Sequence, residues 1–473
     1  MTGGLWAPQR RALTVGLVLT ITFVATEALA VVTVMPVVAR DLHGLNLYGF
    51  VFSAFMLGTV LGIVAAGRVA DRRGPAAPYV AGLALFSAGL VVSGLAPTML
   101  VLVAGRALQG VGAGAVPAIA YVAIGRSLPE RLRAQMMAVL STAWVVPGLA
   151  GPALSAEVAR LFGWRWVFLG LLPFVAMTGP FAIPALIRLG RPDAPAGEGH
   201  RLADGVGVAA AAAATLAGLT MLAGSASRPA GLALVVAGGG IGVPVLRRLL
   251  PAGTFTARYG LPATTLSRGM LTFAFFGADA FVTLAITIVR HRTPLLAGGA
   301  ITGTTLAWTA GAWIQARLNS RWPGRRLVRA GLVVILAGIA GLVLVLNQDV
   351  PVAEGIAAWT VAGLGMGLCH APLTLMMLRG APAGREGWAA ASLNLADVLG
   401  SALGIGFGGA AIALAQRAGW ALPAGVAAAF AVAAAAAVAA LAVSRRLPSG
   451  RLAAVPASGA GAEPTSQGQV RRS

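Results

Sequence analysis

The chain has 473 residues, of which 58% are hydrophobic and only 10% charged, with a mean hydropathy of +0.84. A soluble globular protein carries about 25% charged residues. This chain therefore lacks the polar groups to cover itself in water, and lipid is its expected solvent. All 35 of its basic residues are arginine; against 14 acidic residues they give a net charge of +21, which points either to nucleic acid or to membrane topology. The single Cys369 excludes an internal disulfide framework and a Cys-rich metal site.

A hydrocarbon core about 30 Å thick needs about 20 apolar residues as helix. Fourteen such runs occur in chain order, near 12–36, 46–66, 78–96, 99–125, 134–156, 166–187, 205–224, 229–246, 262–289, 295–316, 327–346, 352–378, 387–415 and 421–443. The first follows Arg10 and Arg11 but is too long for a signal core and has no small-residue cleavage site before Pro36, so it is expected to remain as a span. Pro147 and Pro152 are expected to kink the fifth run. Residues 188–204, with Pro192, Pro195 and Gly197, read as a cytoplasmic linker, and 448–473, rich in Ala, Gly, Ser and Pro, as a disordered tail.

The arginines test the topology. With the N-terminus in the cytoplasm, 26 of them fall in inner segments and seven in outer ones, leaving Arg106 inside a run and Arg268 at the start of one. This bias fits the positive-inside rule with both termini cytoplasmic. Trp164, Trp166 and Trp420 then fall at outer interfaces, and Trp6, Trp322 and Trp388 at inner ones. Runs 205–224 and 229–246 are short, and removing both preserves the parity, so charge fits twelve or fourteen spans; apolar length favours fourteen. With the charge explained by topology, no nucleic-acid partner is expected.

An internal repeat divides the chain. The fourth run carries Gly110-x-Gly112-x-Gly114 and the twelfth carries Gly363-x-Gly365-x-Gly367. Glu27 lies near the middle of the first run and Asp279 near the middle of the ninth. Gly67 to Asp71 follows the second run, and Gly311 to Gln315 matches it in the tenth, with Gln in place of Asp. The expected fold is an all-α integral membrane protein of two pseudo-symmetric six-helix bundles, residues 1–187 and 249–447, with two inserted helices in 205–248. Paired halves are an architecture of secondary transporters, with the substrate site between them at mid-membrane.

Charge inside a membrane is costly, at least about 2.5–3.5 kcal/mol per group on insertion scales, and marks function by default. Glu27 lies nine residues before Pro36, Arg106 six past Leu100, and Asp279 eleven before Arg290, so the three share roughly one depth at about 1.5 Å per residue. A carboxyl balanced between desolvation and a neighbouring cation can exchange protons near neutral pH. The alternative is a buried pair that only fixes helix packing. A second set, His370 with Asp397 and, one turn earlier, Asn394, reads either as a proton relay or as a packed, hydrogen-bonded histidine. The glycines of the fourth run, and Gly400, Gly404 and Gly408, read chiefly as close packing of helices.

Several motifs resemble those of the major facilitator superfamily, and of its fourteen-span drug:proton antiporter branch in particular. Gly67-Arg-Val-Ala-Asp71-Arg72-Arg73-Gly74 is similar to that family's cytoplasmic loop signature, departing from it at Pro75-Ala76-Ala77. The resemblance implies a gating role for Gly67, Asp71, Arg72 and Gly74. Arg106-Ala-Leu-Gln109-Gly110 is similar to the fourth-helix signature, which implies a part for Arg106 in proton transfer and sets Gln109 among the expected proton-coupling and cavity residues. Gly148-Leu-Ala-Gly151-Pro152 is similar to the fifth-helix antiporter signature, with Ser155-Ala156 where two glycines are usual. Gly163-Trp-Arg-Trp-Val-Phe168 resembles the outer end of the sixth helix in drug exporters.

The resulting expectation is a proton-coupled exporter of hydrophobic or amphipathic small molecules in the plasma (inner) membrane, monomeric, with no cofactor and no metal. A lipid or metabolite exporter, a proton-coupled importer and sodium coupling stay open. An intramembrane enzyme is disfavoured, since His43, His200, His291 and His370 are scattered and neither HExxH nor GxSxG occurs. A channel is disfavoured because two related halves with unlike charges do not make a ring of repeated subunits.

Overall fold

A computed structural model describes residues 4–190, 202–223, 228–319, 321–381 and 386–450. Among them are sixteen α-helices and no strand. In lipid no water can satisfy exposed backbone groups, and a helix satisfies its own. The first half comprises α1 (Pro8–Asp41), α2 (Tyr48–Arg73), α3 (Ala76–Gly94), α4 (Met99–Ser127), α5 (Glu130–Thr142), α6 (Val145–Phe162), α7 (Arg165–Leu169) and α8 (Leu172–Arg188). A hairpin of α9 (Leu202–Ala223) and α10 (Arg228–Leu249) follows. The second half comprises α11 (Leu261–Leu284, prolonged by a π-turn to Val289), α12 (Pro294–Leu318), α13 (Gly324–Val345), α14 (Val352–Gly380), α15 (Glu386–Arg417) and α16 (Leu422–Val443).

The helix ends follow local chemistry. Proline opens the first turn of α1, α11, α12 and α16, where its missing N–H costs nothing. Thr98 and Thr293 cap α4 and α12 by accepting from the amides of Val101 and Leu296. Gly74 ends α2 at φ +84° and Gly163 ends α6 at φ +90°, angles that suit glycine.

Among the described residues, eleven helical stretches are long and apolar enough to cross a membrane, so the protein is a multi-pass membrane protein. All fourteen expected runs lie on helices, but three fall short of that measure. The fifth is split into α5 and α6 around Ala143–Trp144, because Pro147 cannot donate to the carbonyl four residues back. The seventh lies on α9, where the apolar stretch found among the described residues is Asp204–Leu219. The tenth, α12, is diluted by Gly298, Gly299, Gly303, Thr302, Thr304, Thr305 and Gln315. The first run is longer than expected: α1 continues through Pro36 to Asp41, so Glu27 lies deeper than a helix end at Pro36 implied. Most of the expected linker and nearly all of the tail, residues 191–201 and 451–473, lie outside the described residues.

Packing rests on glycine, because lipid tails offer helices little hydrophobic reason to associate and close backbone contact must supply the attraction. A Cβ on Gly110 or Gly114 would run into the Phe55 or Thr59 carbonyl of α2, and one on Gly112 into the Gly82 carbonyl of α3. In the other half, Gly363 and Gly367 stand in the same way against the Thr304 and Trp308 carbonyls of α12, and Gly365 against Gly331 of α13. α4 and α14 are thus each the spine of a three-helix layer.

The halves meet along two seams, α2 with α15 and α6 with α12. Hydrogen bonds between the halves, one across the α2–α15 seam and two from α11 to α1 and α2, lie toward the end where α1 finishes and α2 begins. Tyr48 donates to the Ala280 carbonyl at 2.9 Å, Ser53 to the Ala402 carbonyl at 2.8 Å, and Thr283 to the Val32 carbonyl at 3.0 Å. Gly49 faces Gly409, and Pro152 faces Gly298, at the same end. Toward the other end, α5 packs on α1, α4 and α6. α9 lies against both α2 and α15 through Val208, Ala212, Leu216, Leu57 and Leu399.

Near the α13–α14 turn, Arg290 is buried and donates to the carbonyls of Val345 (2.8 Å), Val350 (2.8 Å), Gln348 (3.3 Å) and Asn347. It is therefore a helix-end clamp, and not only the loop charge that the topology count made of it. Trp164, expected at a lipid interface, is instead buried, its indole donating to Asp41 at 2.8 Å. Trp6, Trp166, Trp322 and Trp420 are exposed, and the side chain of Trp388 is outside the description.

Gly110→Val is expected to cost about 1–3 kcal/mol or more through overpacking, whereas Gly67→Ala, whose Cβ meets open space, leaves stability unchanged. Thermal unfolding of the two variants in detergent measures the contrast.

Candidate functional site

Glu27 on α1 and Arg106 and Gln109 on α4 are all fully or almost fully buried. The Arg106 guanidinium donates to Glu27 Oε1 and, at 2.8 Å, to Gln109 Oε1. Gln109 in turn donates to the same Glu27 oxygen at 3.0 Å. The three side chains form a closed triangle, the spacing of three between Arg106 and Gln109 setting both on one face of α4. Phe55 of α2 lies under the guanidinium, 4.1 Å from ring centroid to Cζ, adding a cation–π contact. Two buried atoms of the triangle have no hydrogen-bond partner among the described residues, Glu27 Oε2 and Arg106 Nε. The carboxyl therefore keeps one oxygen available to carry a proton.

Asp279 shares neither of these partners. It accepts from the indole of Trp359 at 2.8 Å and stands one residue from Ala280, whose carbonyl accepts from Tyr48 of α2. Similar depth in the sequence did not translate into contact with Arg106, because contact also requires facing sides of α1, α4 and α11. Asp279 is half-buried, with a surface that Glu27 lacks.

The second expected set is real as a cluster, but its hub was misplaced. Arg268 lies seven residues inside α11 and is almost wholly buried. It donates to Asp397 of α15 at 2.6 and 3.2 Å, to the His370 backbone carbonyl at 2.9 Å, and contacts His370 Nε2. An arginine inside an apolar run was the available signal; counting it as the start of the span hid it. The Asp397 side chain is 27% exposed, and Asn394 is exposed one turn earlier. Trp308 packs on His370 at 5.5 Å and on Phe275 at 5.7 Å, and Phe275 stacks on Trp359 at 5.1 Å. An aromatic wall thus connects Asp279 with the Arg268 cluster. Sequence reading missed this wall, since its members are distant along the chain.

The expected gating segment is mostly helix. Gly67 to Arg73 form the last turns of α2, and only Gly74–Pro75 turns the chain. A Cβ on Gly67 would meet nothing within 4 Å, while Gly74 serves its positive φ. Arg72 is exposed, and the Asp71 side chain is outside the description. In α6 the antiporter-type residues face the other half: a Cβ on Gly148 would meet Thr305 at 2.8 Å, and Pro152 packs on Gly298. Gly151 lies nearer Leu29 of α1. In the segment from Gly163 to Phe168, Trp164 and Arg165 both reach Asp41, the latter at 3.5 Å, so this segment fastens the end of α1 to α7.

Comparison with known proteins follows the same lines. The family model described as Major Facilitator Superfamily matches residues 15–405. A probable multidrug-efflux transporter of Mycobacterium tuberculosis is 29% identical over 428 residues, covering 86% of this chain and 88% of that one. A multidrug resistance protein of the same organism is 25% identical over 82% of this chain and 73% of its own length. Among solved structures, an inward-facing, unoccupied bacterial homologue of the human lysosomal transporter Spinster superposes with a TM-score of 0.63, at 16% identity over 93% of this chain and 98% of that one. A peptide transporter of the POT family superposes at 0.65, with 13% identity over 91% and 97%.

Removing one partner of a buried ion pair strands the other and typically costs about 3–5 kcal/mol. Arg106→Met is accordingly expected to lower thermal stability in detergent sharply. The double variant Arg106→Met with Glu27→Gln recovers most of the loss, because no naked charge remains.

Proposed function

The chain belongs to the Major Facilitator Superfamily, and on that premise we propose that it exports hydrophobic or amphipathic small molecules, drugs among them, in exchange for protons. The efflux relatives support the direction and the substrate class. The observation that carries the coupling is the Glu27–Arg106–Gln109 triangle: a carboxyl sealed from water, paired with one cation and holding one oxygen without a partner. Protonation of Glu27 frees Arg106 from its counter-charge, and deprotonation restores it. Such a group has two discrete arrangements, as coupling to a conformational change requires.

In this reading the polypeptide crosses the inner membrane fourteen times, as two six-span halves and an inserted pair, with both termini cytoplasmic and one chain forming the unit. The joined end of the seams is then the outer end, and the molecule is inward-facing. Substrate enters between the halves, with half-buried Asp279 as counter-charge for a cationic group and the Trp308–Phe275–Trp359 wall as the apolar surface. Rocking at the α2–α15 and α6–α12 seams, where small residues face one another, exposes the cavity to the other side. Arg72, Gly74 and the preceding turns of α2 contribute to the inner gate.

The test is substrate-driven proton flux in inside-out vesicles. Wild type is expected to move protons with export, Glu27→Gln to lose at least about tenfold of that flux, and Asp279→Asn to lose transport of cationic more than neutral compounds. Retention of full coupling by Glu27→Gln removes the triangle from the mechanism, and export by wild type without proton movement removes antiport.

A further inference from the structure

Away from the seams, α10 is the helix most open to its surroundings. Leu232, Val236, Gly240 and Val243 follow one another at spacings of four, four and three, so they form a single stripe along it. All are exposed. A Cβ on Gly239 or Gly240 would meet nothing within 4 Å, so the stripe has a notch at mid-helix. The next position on the stripe is Arg247, at the end of the helix.

The connection from α10 to α11 turns back over this end. It is a fixed structure. Gly253 takes φ +89° and Ala257 φ +49°. Arg446, just beyond α16, donates to the carbonyls of Thr256 (2.6 Å) and Ala257 (3.2 Å), and its own carbonyl accepts from the Gly260 amide at 3.3 Å. Between this loop and the last turn of α10 lies a cavity of about 370 Å³, floored by Leu250 and Thr254 and walled by Arg247 and Arg258. Both arginines are exposed, and among the described residues neither takes part in an ion pair. Phe255 and Tyr259 are 45% and 67% exposed beside them, the position aromatic side chains take at the boundary between lipid and water.

An exposed apolar stripe, notched at mid-helix, that ends in two guanidinium groups outside any ion pair among the described residues matches the form of a phospholipid. We infer that this end of α10 and its loop bind the headgroup of an anionic phospholipid. Arg247 and Arg258 hold the phosphodiester, and an acyl chain lies along the stripe past Gly239 and Gly240. Guanidinium suits phosphate because its fork of donors meets two oxygens at once. The site needs only a chain that spans a membrane, and it stands or falls independently of the proton-coupling reading.

The probe is phosphatidylglycerol added to the delipidated full-length protein in a neutral detergent, read by thermal unfolding and by native mass spectrometry of retained lipid. Two surface arginines near anionic lipid contribute about thirtyfold in affinity. Wild type is expected to be stabilised and to retain the lipid, and Arg247→Gln with Arg258→Gln to bind it roughly thirtyfold more weakly. A control pair at the same end, Arg317→Gln with Arg321→Gln, is expected to behave as wild type. Undiminished binding by the first double variant overturns the site. So does an equal loss in the control pair, which would make the attraction diffuse. Phosphatidylcholine acting as well as phosphatidylglycerol would overturn the headgroup assignment, and inorganic phosphate reproducing the stabilisation would make the cavity a free-anion site and overturn the lipid one.

Discussion

In a bilayer, apolar side chains gain little by leaving lipid for one another, so helices associate only where their surfaces fit. In this protein the fit is backbone against backbone. α4 lies against α2 and α3, and α14 against α12 and α13, at places where any side chain on the central glycine would strike a carbonyl. The buried polar groups depend on that closeness. Arg106 reaches Glu27 and stacks on Phe55 because α4 sits tightly between its neighbours. A looser helix would leave charge facing hydrocarbon, at several kcal/mol.

The two charged clusters differ in kind. The triangle of Glu27, Arg106 and Gln109 is sealed, and its members answer chiefly to one another. The cluster around Arg268 is open on one side, through half-exposed Asp397 and His370. A sealed carboxyl suits exchange of something as small as a proton, while an open one can meet a larger ligand. Asp279 falls between: its one hydrogen bond to Trp359 orients it, and the aromatic wall ties it to Trp308 and His370.

Much of this was written in the order of residues. Long apolar runs marked the helices, and a lone Glu or Arg within one marked the triangle, because lipid makes such groups conspicuous. Gln109 was legible only through the resemblance of its segment to the fourth-helix signature. What one dimension could not supply was rotation. Depth along a helix placed Asp279 beside Arg106, yet the side of α11 it occupies gives it Trp359. Arg268 was counted with the start of its span although it stood six residues inside the expected run, and that choice made a buried hub look like a topology signal. Trp164 matched the pattern of an interfacial tryptophan, but an acceptor 123 positions earlier, Asp41, holds it inside.

The inserted hairpin has a mechanical consequence. α9 rests on α2 from one half and α15 from the other, through Val208, Ala212 and Leu216. No rigid rotation that parts α2 from α15 can leave both of those contacts intact. The hairpin must then side with one half and slide over the other, or tilt between them. The smoothness of that one bearing, set by alanines and a few branched side chains, would enter directly into how fast the two halves can trade places.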